Sequence, residues 1–162
     1  DGKPVFFGAT IEENLRKVQP GISEREFQEI LEISGLQKVL GQLQEGISTE
    51  INQFGMPLSQ GDRVTLALAR GLMSGPRILL IDEALANLDK STQISFFENF
   101  SKISDLKTVI MATHDLRSTA KFEQIIVLEK GVVVGQGTHD ELLKTCPLYQ
   151  ELWAMEQKLT GT

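Results

Sequence analysis

The stretch ILLIDEALANLD, residues 78–89, decides the fold. Four apolar residues, Ile78 to Ile81, run straight into two adjacent carboxylates, Asp82 and Glu83. A short continuous apolar run reads as a strand buried on both faces of a sheet. Such a strand delivers its last residues rigidly to the carboxyl edge of an open α/β sheet, where ligands bind. An acid there can hold Mg²⁺ directly or through water, because Mg²⁺ takes hard oxygen ligands. A second acid beside it can orient or deprotonate a water. Neighbours in an extended chain point to opposite sides, so Asp82 and Glu83 are expected to do different jobs. Taken alone, the pair also suits acids at a helix N-terminus.

Outward from this strand, the second half alternates strand and helix. STQISFFENFSKI (91–103) reads as a helix and TVIMAT (108–113) as a strand. IIVLE (125–129) and VVVGQG (132–137) read as strands joined at Lys130-Gly131 in a hairpin. THDELL (138–143) restarts a helix, with Thr138 as cap and Glu141 at its third position. PLYQELWAMEQKL (147–159) is a closing helix begun by Pro147.

Upstream, the first half reads as mainly helical. TIEENL (10–15) has Thr10 as cap and acids in its first turn. In SEREFQEILEISGL (23–36), Ser23 and Glu26 form a capping box, and Phe27, Ile30, Leu31 and Ser34 share a face that Gly35 ends. Residues 41–57 read as loop with a short strand at TEI. LSQGDRVTLALARGLMSGPR then gives a helix capped by Ser59 with Asp62. Its expected apolar stripe is Val64, Ala67, Leu68, Gly71 and Leu72, and Gly75-Pro76 ends it.

The totals agree with a folded chain of ordinary domain size. There are 162 residues, 41% hydrophobic and 23% charged, enough to bury a real core. A net charge of −6 argues against a nucleic-acid binder. The single cysteine, Cys146, excludes an intrachain disulfide. No apolar run approaches the ~20 residues that cross a bilayer. No apolar signal-peptide core opens the sequence.

The motifs around the carboxylates resemble, in order and spacing, the nucleotide-binding domain of ABC transporters, most like the exporter type. LSQGD (58–62) resembles the family signature LSGGQ, and LALARGL (66–72) the helix after it. ILLIDE resembles the Walker B strand with its catalytic Glu, ANLD (86–89) the D-loop, and His114 the switch histidine. The opening KPVFFGATIEENL resembles the stretch just after the family's Q-loop. The resemblance covers nearly the whole chain. It implies an α/β fold: a mainly helical subdomain with the signature over 1–75, then part of a P-loop NTPase (RecA-like) parallel sheet with flanking helices over 76–162.

The resemblance also implies roles. Asp82 would support Mg²⁺. Glu83 would polarise the attacking water. His114 would touch the γ-phosphate of ATP and sense its loss. Ser59 and the Gly61 backbone N–H would hold the γ-phosphate of ATP bound to a second, dimer-related nucleotide-binding domain. Asp89 would reach across that dimer interface. Ser59 and Asp89 also suit plain helix caps, and His114 a satisfied strand-end histidine. The implied setting is cytoplasmic, at the membrane through transporter subunits.

Departures from the family pattern qualify this. Nothing in the sequence resembles the phosphate-binding loop G-x-x-x-x-G-K-S/T, whose amides and lysine grip the nucleotide. The adenine-stacking aromatic is also absent, and the Q-loop glutamine would fall near Gly2. The chain is therefore expected to be the C-terminal two-thirds of such a domain, inactive alone. Gln60 replaces the first Gly of the signature pair, Asp62 its Gln, and Leu85 the small polar residue after the Glu. ATP sandwiching is expected to be weakened. The family's phosphate-loop strand lies between TVIMAT and IIVLE, so its loss leaves a gap with unpaired edges. Those strands are expected to pair directly, to be completed by a strand-swapped second copy, or to await a missing segment. Two other classes share part of the pattern: a non-catalytic module completing a composite ATP site in trans, and a DNA-repair or chromosome-organising ATPase. The latter is disfavoured by the acidic balance and the lack of heptad arms.

Overall fold

A computed structural model describes residues 4–83, 85, 88, 90–99 and 108–159. It divides into two compact units, Asp1–Ala112 and Thr113–Thr162. The first carries β1 (Ala9–Thr10), α1 (Ile11–Arg16), α2 (Glu24–Ile33), α3 (Leu36–Leu40), β2 (Glu50–Ile51), α4 (Gln60–Met73), β3 (Ile78–Asp82), α5 (Lys90–Asn99) and β4 (Thr108–Ala112). The second carries α6 (Leu116–Thr119), β5 (Ile125–Glu129), β6 (Val132–Gly137), α7 (His139–Thr145) and α8 (Pro147–Leu159).

Local chemistry starts and stops the helices. Thr10 caps α1 by accepting from the Glu13 N–H, and Glu13 reaches back to the Thr10 N–H, 2.9 Å away. Those bonds hold the Glu13 carboxyl below its ordinary pKa. Ser23 caps α2 through the Glu26 N–H, but only this half of the expected box forms. Gly35 ends that run in the left-handed region at φ 78°. The sequence reading missed α3, which follows it at once, and β1, the antiparallel partner of the expected strand β2.

Asn14 locks the entry to this unit. Its fully buried amide accepts from the Phe7 N–H (2.8 Å) and donates to the Phe7 and Thr10 carbonyls (3.1 and 2.9 Å). Backbone groups in a strand-poor segment thereby gain the partners that burial demands.

The core of the first unit is continuous from the helices to the sheet. Leu15, Phe27, Leu36, Leu66, Ile81 and Phe96 all belong to one buried cluster. Residues on both sides of position 75 thus share one compact unit. On α4 the buried stripe is Thr65, Leu66, Ala69, Leu72 and Met73. The expected stripe at 64, 67, 68 and 71 is only half buried, rotated by about one residue.

β3 and β4 pair in parallel, from Ile78 opposite Thr108 to Asp82 opposite Ala112. The apolar run does not mark a strand covered on both faces. Leu79 and Ile81 are buried against the helices, while Ile78, Leu80 and Ile110 remain 59%, 71% and 56% exposed. Both faces are apolar, but among the described residues only one has a cover.

In the second unit β5 and β6 form the expected hairpin. Lys130 and Gly131 both take positive φ, 49° and 82°, as a two-residue turn of this hand requires. Ile125, Val127, Leu142, Cys146 and Tyr149 make its core. Thr138 and Glu141 close a full capping box on α7. Among the described residues, β4 pairs with β3 and β5 with β6.

Candidate functional site

Asp82 is the last residue of β3, held opposite Ala112 of β4. One residue on, the Glu83 N–H donates to the Ala112 carbonyl at 3.0 Å, extending the ladder. Glu83 itself sits at φ 48°, in the left-handed region. A non-glycine residue there costs free energy, and such positions concentrate at functional sites. Asp82 and Glu83 are both exposed residues. The expectation that they diverge through plain strand alternation needs correcting. Glu83 is not extended, so alternation along the strand does not set its direction. No sequence signal short of the family pattern reveals that conformation.

Among the described residues, no group of three or more His, Cys, Asp or Glu side chains is arranged to hold a metal. Asp82 offers a single carboxylate at a rigid strand end. That suits Mg²⁺ where substrate phosphates supply the remaining oxygens.

Ser59 and Gly61 come together at the start of α4, a 14-residue helix. Unpaired N–H groups and the helix dipole make such an end attractive to anions. Here an internal anion already occupies part of it. The Ser59 hydroxyl donates to Asp62 Oδ2 at 2.6 Å, within the range of charge-assisted O–H···O⁻ bonds. Ser59 Oγ accepts in turn from the Asp62 N–H, and the Ser59 N–H reaches Asp62 Oδ2 at 3.3 Å. So the cap reading of Ser59 is realised in full. A cleft of about 280 Å³ lies alongside, lined by Lys38, Ser59, Gly61, Asp62, Thr65 and Thr92 among others. Lys38 Nζ, on α3, donates to Ser91 Oγ on α5 at 3.1 Å. The sequence reading gave Lys38 and Thr92 no role, because only the fold brings α3 and α5 to the signature helix. Gly35 is needed there as well, since a Cβ at that position would meet Thr92 Cγ2 at 2.6 Å.

His114 is exposed and belongs to the second unit, between the end of β4 and α6. Asp115 caps α6 by accepting from the Arg117 N–H at 3.1 Å. Asp89 lies outside the described residues, as does Gly2.

Comparison with known proteins places these features. The family described as ABC transporter matches residues 3–86. The chain is 39% identical to the glutathione/L-cysteine transport system ATP-binding/permease protein CydC of Escherichia coli strain K12, over 85% of this chain and 24% of that one. It is 36% identical to the leukotoxin translocation ATP-binding protein LktB of Mannheimia glucosida, over 86% of this chain and 20% of that one. In structure it is similar to a bacterial Atm1-family ABC exporter with ATP bound. That match has a TM-score of 0.83 at 31% identity and covers 96% of this chain and 27% of the exporter. The chain thus spans about a quarter or less of the length of the curated relatives named here. The family match and the exporter fold, on a chain whose parallel strand ends in two carboxylates, place this protein in the ABC transporter family, among nucleotide-binding domains of the exporter type.

Proposed function

We propose that the chain is the signature and Walker B portion of an exporter nucleotide-binding domain, and that it does not hydrolyse ATP by itself. The observation that carries this is the end of β3. There a strand pinned to β4 presents Asp82, and Glu83 follows it in a left-handed backbone conformation. In the complete site Asp82 would ligate Mg²⁺, which neutralises phosphate charge when bound. Glu83 would orient and deprotonate the water attacking the γ-phosphate. His114 would contact that phosphate. Ser59 and the Gly61 N–H would face ATP on an opposite subunit, and Asp89 would help align it.

Inactivity follows from what grips a nucleotide. The 162 residues contain no phosphate-binding loop, so carboxylates and signature have no anchored substrate to act on. We assign the missing cover of β3–β4 to the phosphate-loop segment of a complete domain, supplied by the same polypeptide, by another chain or by a swapped second copy. The partners are then a second nucleotide-binding domain and transmembrane domains that place the protein at the membrane. Among the described residues no helix is long and apolar enough to cross one. Coupling to membrane helices would run through residues near 4–20, where Val5 and Phe7 are exposed, and the helical region. In either reading, the purely trans-acting module included, the Ser59 hydroxyl would have to leave Asp62 to meet an opposite nucleotide.

Phosphate release at millimolar ATP, compared between wild type and Glu83→Gln, tests the reading. No release that depends on Glu83 is expected. Turnover abolished by Glu83→Gln would show that the chain is a complete enzyme and would refute the proposal.

A further inference from the structure

The second unit contains a chain of hydrogen bonds whose direction can be counted from its hydrogens. Tyr149, on α8, is 1% exposed, and its phenol oxygen meets two groups. One is Thr119 Oγ1 of α6 at 3.2 Å, and the other is His139 Nδ1, on the first residue of α7, at 2.9 Å. Thr119 Oγ1 also lies 2.6 Å from the Leu116 carbonyl, which can only accept.

Three contacts need three hydrogens. The Thr119 hydroxyl hydrogen goes to Leu116, so its oxygen must accept from Tyr149. The phenol has one hydrogen, now spent on Thr119, so its oxygen must accept from His139. The third hydrogen therefore sits on His139 Nδ1. Packing agrees with a ring held in one orientation: His139 lies edge-on to Trp153, ring centroids 4.4 Å apart, and to Tyr149 at 5.8 Å.

We propose that His139 and Tyr149 are positioning residues forming a one-way clasp, His139 to Tyr149 to Thr119 to the Leu116 carbonyl, that fixes the segment carrying His114. A helix of four residues such as α6 has little stability of its own. Its two ends are held by different devices. Asp115, next to His114, caps the start, and the clasp pins Thr119 at the last turn to α7 and α8. The ring nitrogen left over, Nε2, takes no part, so the clasp survives whether or not that nitrogen is protonated. Only the final link, from α6 to the work of His114, rests on the function proposed above.

The test is the tautomer of His139, read by two-bond ¹H–¹⁵N correlation on the full chain at alkaline pH. Wild type is expected to carry the hydrogen on Nδ1. Thr119→Val removes the acceptor of the phenol hydrogen, so Tyr149 should turn and donate to His139, moving the histidine hydrogen to Nε2. A merely space-filling Tyr149 would not move it. Tyr149→Phe should speed hydrogen exchange of the Phe122 amide, which bonds the Thr119 carbonyl, by about tenfold, the loss of one buried hydrogen bond. It should also shift the His114 ring resonances. Hydrogen on Nε2 in wild type, or a tautomer unchanged in Thr119→Val, would overturn the clasp. His114 resonances unmoved in Tyr149→Phe would overturn the positioning claim. Failure of the nucleotide role of His114 is a separate result: it would appear as nucleotide chemistry indifferent to His114→Ala in an assembled transporter, with the tautomer and exchange readouts unaffected.

Discussion

The two principal strand pairs of this protein hold together in different ways. β5 and β6 are neighbours in sequence, joined by two residues, and each finds its partner through a turn whose dihedrals Lys130 and Gly131 supply. β3 and β4 are parallel, with α5 between them in the chain, and their covered face rests on helices drawn from the whole first unit. An antiparallel hairpin tolerates one face in water, whereas parallel strands normally bury both. The bare Ile78, Leu80 and Ile110 are therefore the less expected of the exposed surfaces. The hairpin leaves Ile126, Leu128, Val132 and Val133 exposed too, so the contrast lies in how each pair finds its partner and in the stronger demand of parallel strands for a second cover.

Substitutions on the two faces of β3 should separate most. Leu79→Ala on the covered face should cost about 2–4 kcal/mol by chemical denaturation, through lost burial and the cavity left behind. Leu80→Ala, one residue away, should stay within about 0.5 kcal/mol, because little is buried there. Equal costs would mean that the outer face is packed in solution and would break the contrast.

At the end of the same strand, Glu83→Gly and Glu83→Ala probe the left-handed turn. Both remove the carboxylate, but only glycine takes φ 48° without penalty. The glycine variant should be more stable than the alanine variant by about 1 kcal/mol. Equal stability would argue against that backbone conformation in solution.

The smallest effect is one that both units share. The capping-box bonds to Thr10 and Thr138 lower the carboxyl pKa values of Glu13 and Glu141. A carboxylate favoured by the fold contributes stability that is present above its unfolded pKa and lost as pH falls through its folded one. Thermal stability should therefore decline on acidification from about pH 4.5 downward. Glu13→Gln with Glu141→Gln should flatten that decline.

Much of this was readable in the sequence because it is local. Thr10, Ser59 and Thr138 cap helices where their spacing to an acid predicts. Lys130-Gly131 turns where two strands run together. The carboxylates stand at the end of a strand because four apolar residues precede them. The misses have physical reasons too. The buried stripe of α4 lies one residue from the expected one because its packing face is chosen by α1, α2 and α3, which no periodicity encodes. Asn14 looked like an ordinary helix residue until the backbone of Phe7 folded over it. The left-handed Glu83 and the grip of Asp62 on Ser59 depend on dihedrals and rotamers that residue types only permit. Asp89 falls outside the described residues, so its role across a dimer stays a reading of ANLD.

The most direct measurement is ATP binding by the purified chain, by isothermal titration calorimetry with Mg²⁺, with its mass in solution determined by light scattering. Lack of binding at millimolar ATP is the predicted result: Asp82, Glu83 and the signature helix would then be a site whose phosphate grip lies elsewhere. Micromolar binding would contradict it, since some other part of these 162 residues would have to replace the phosphate loop.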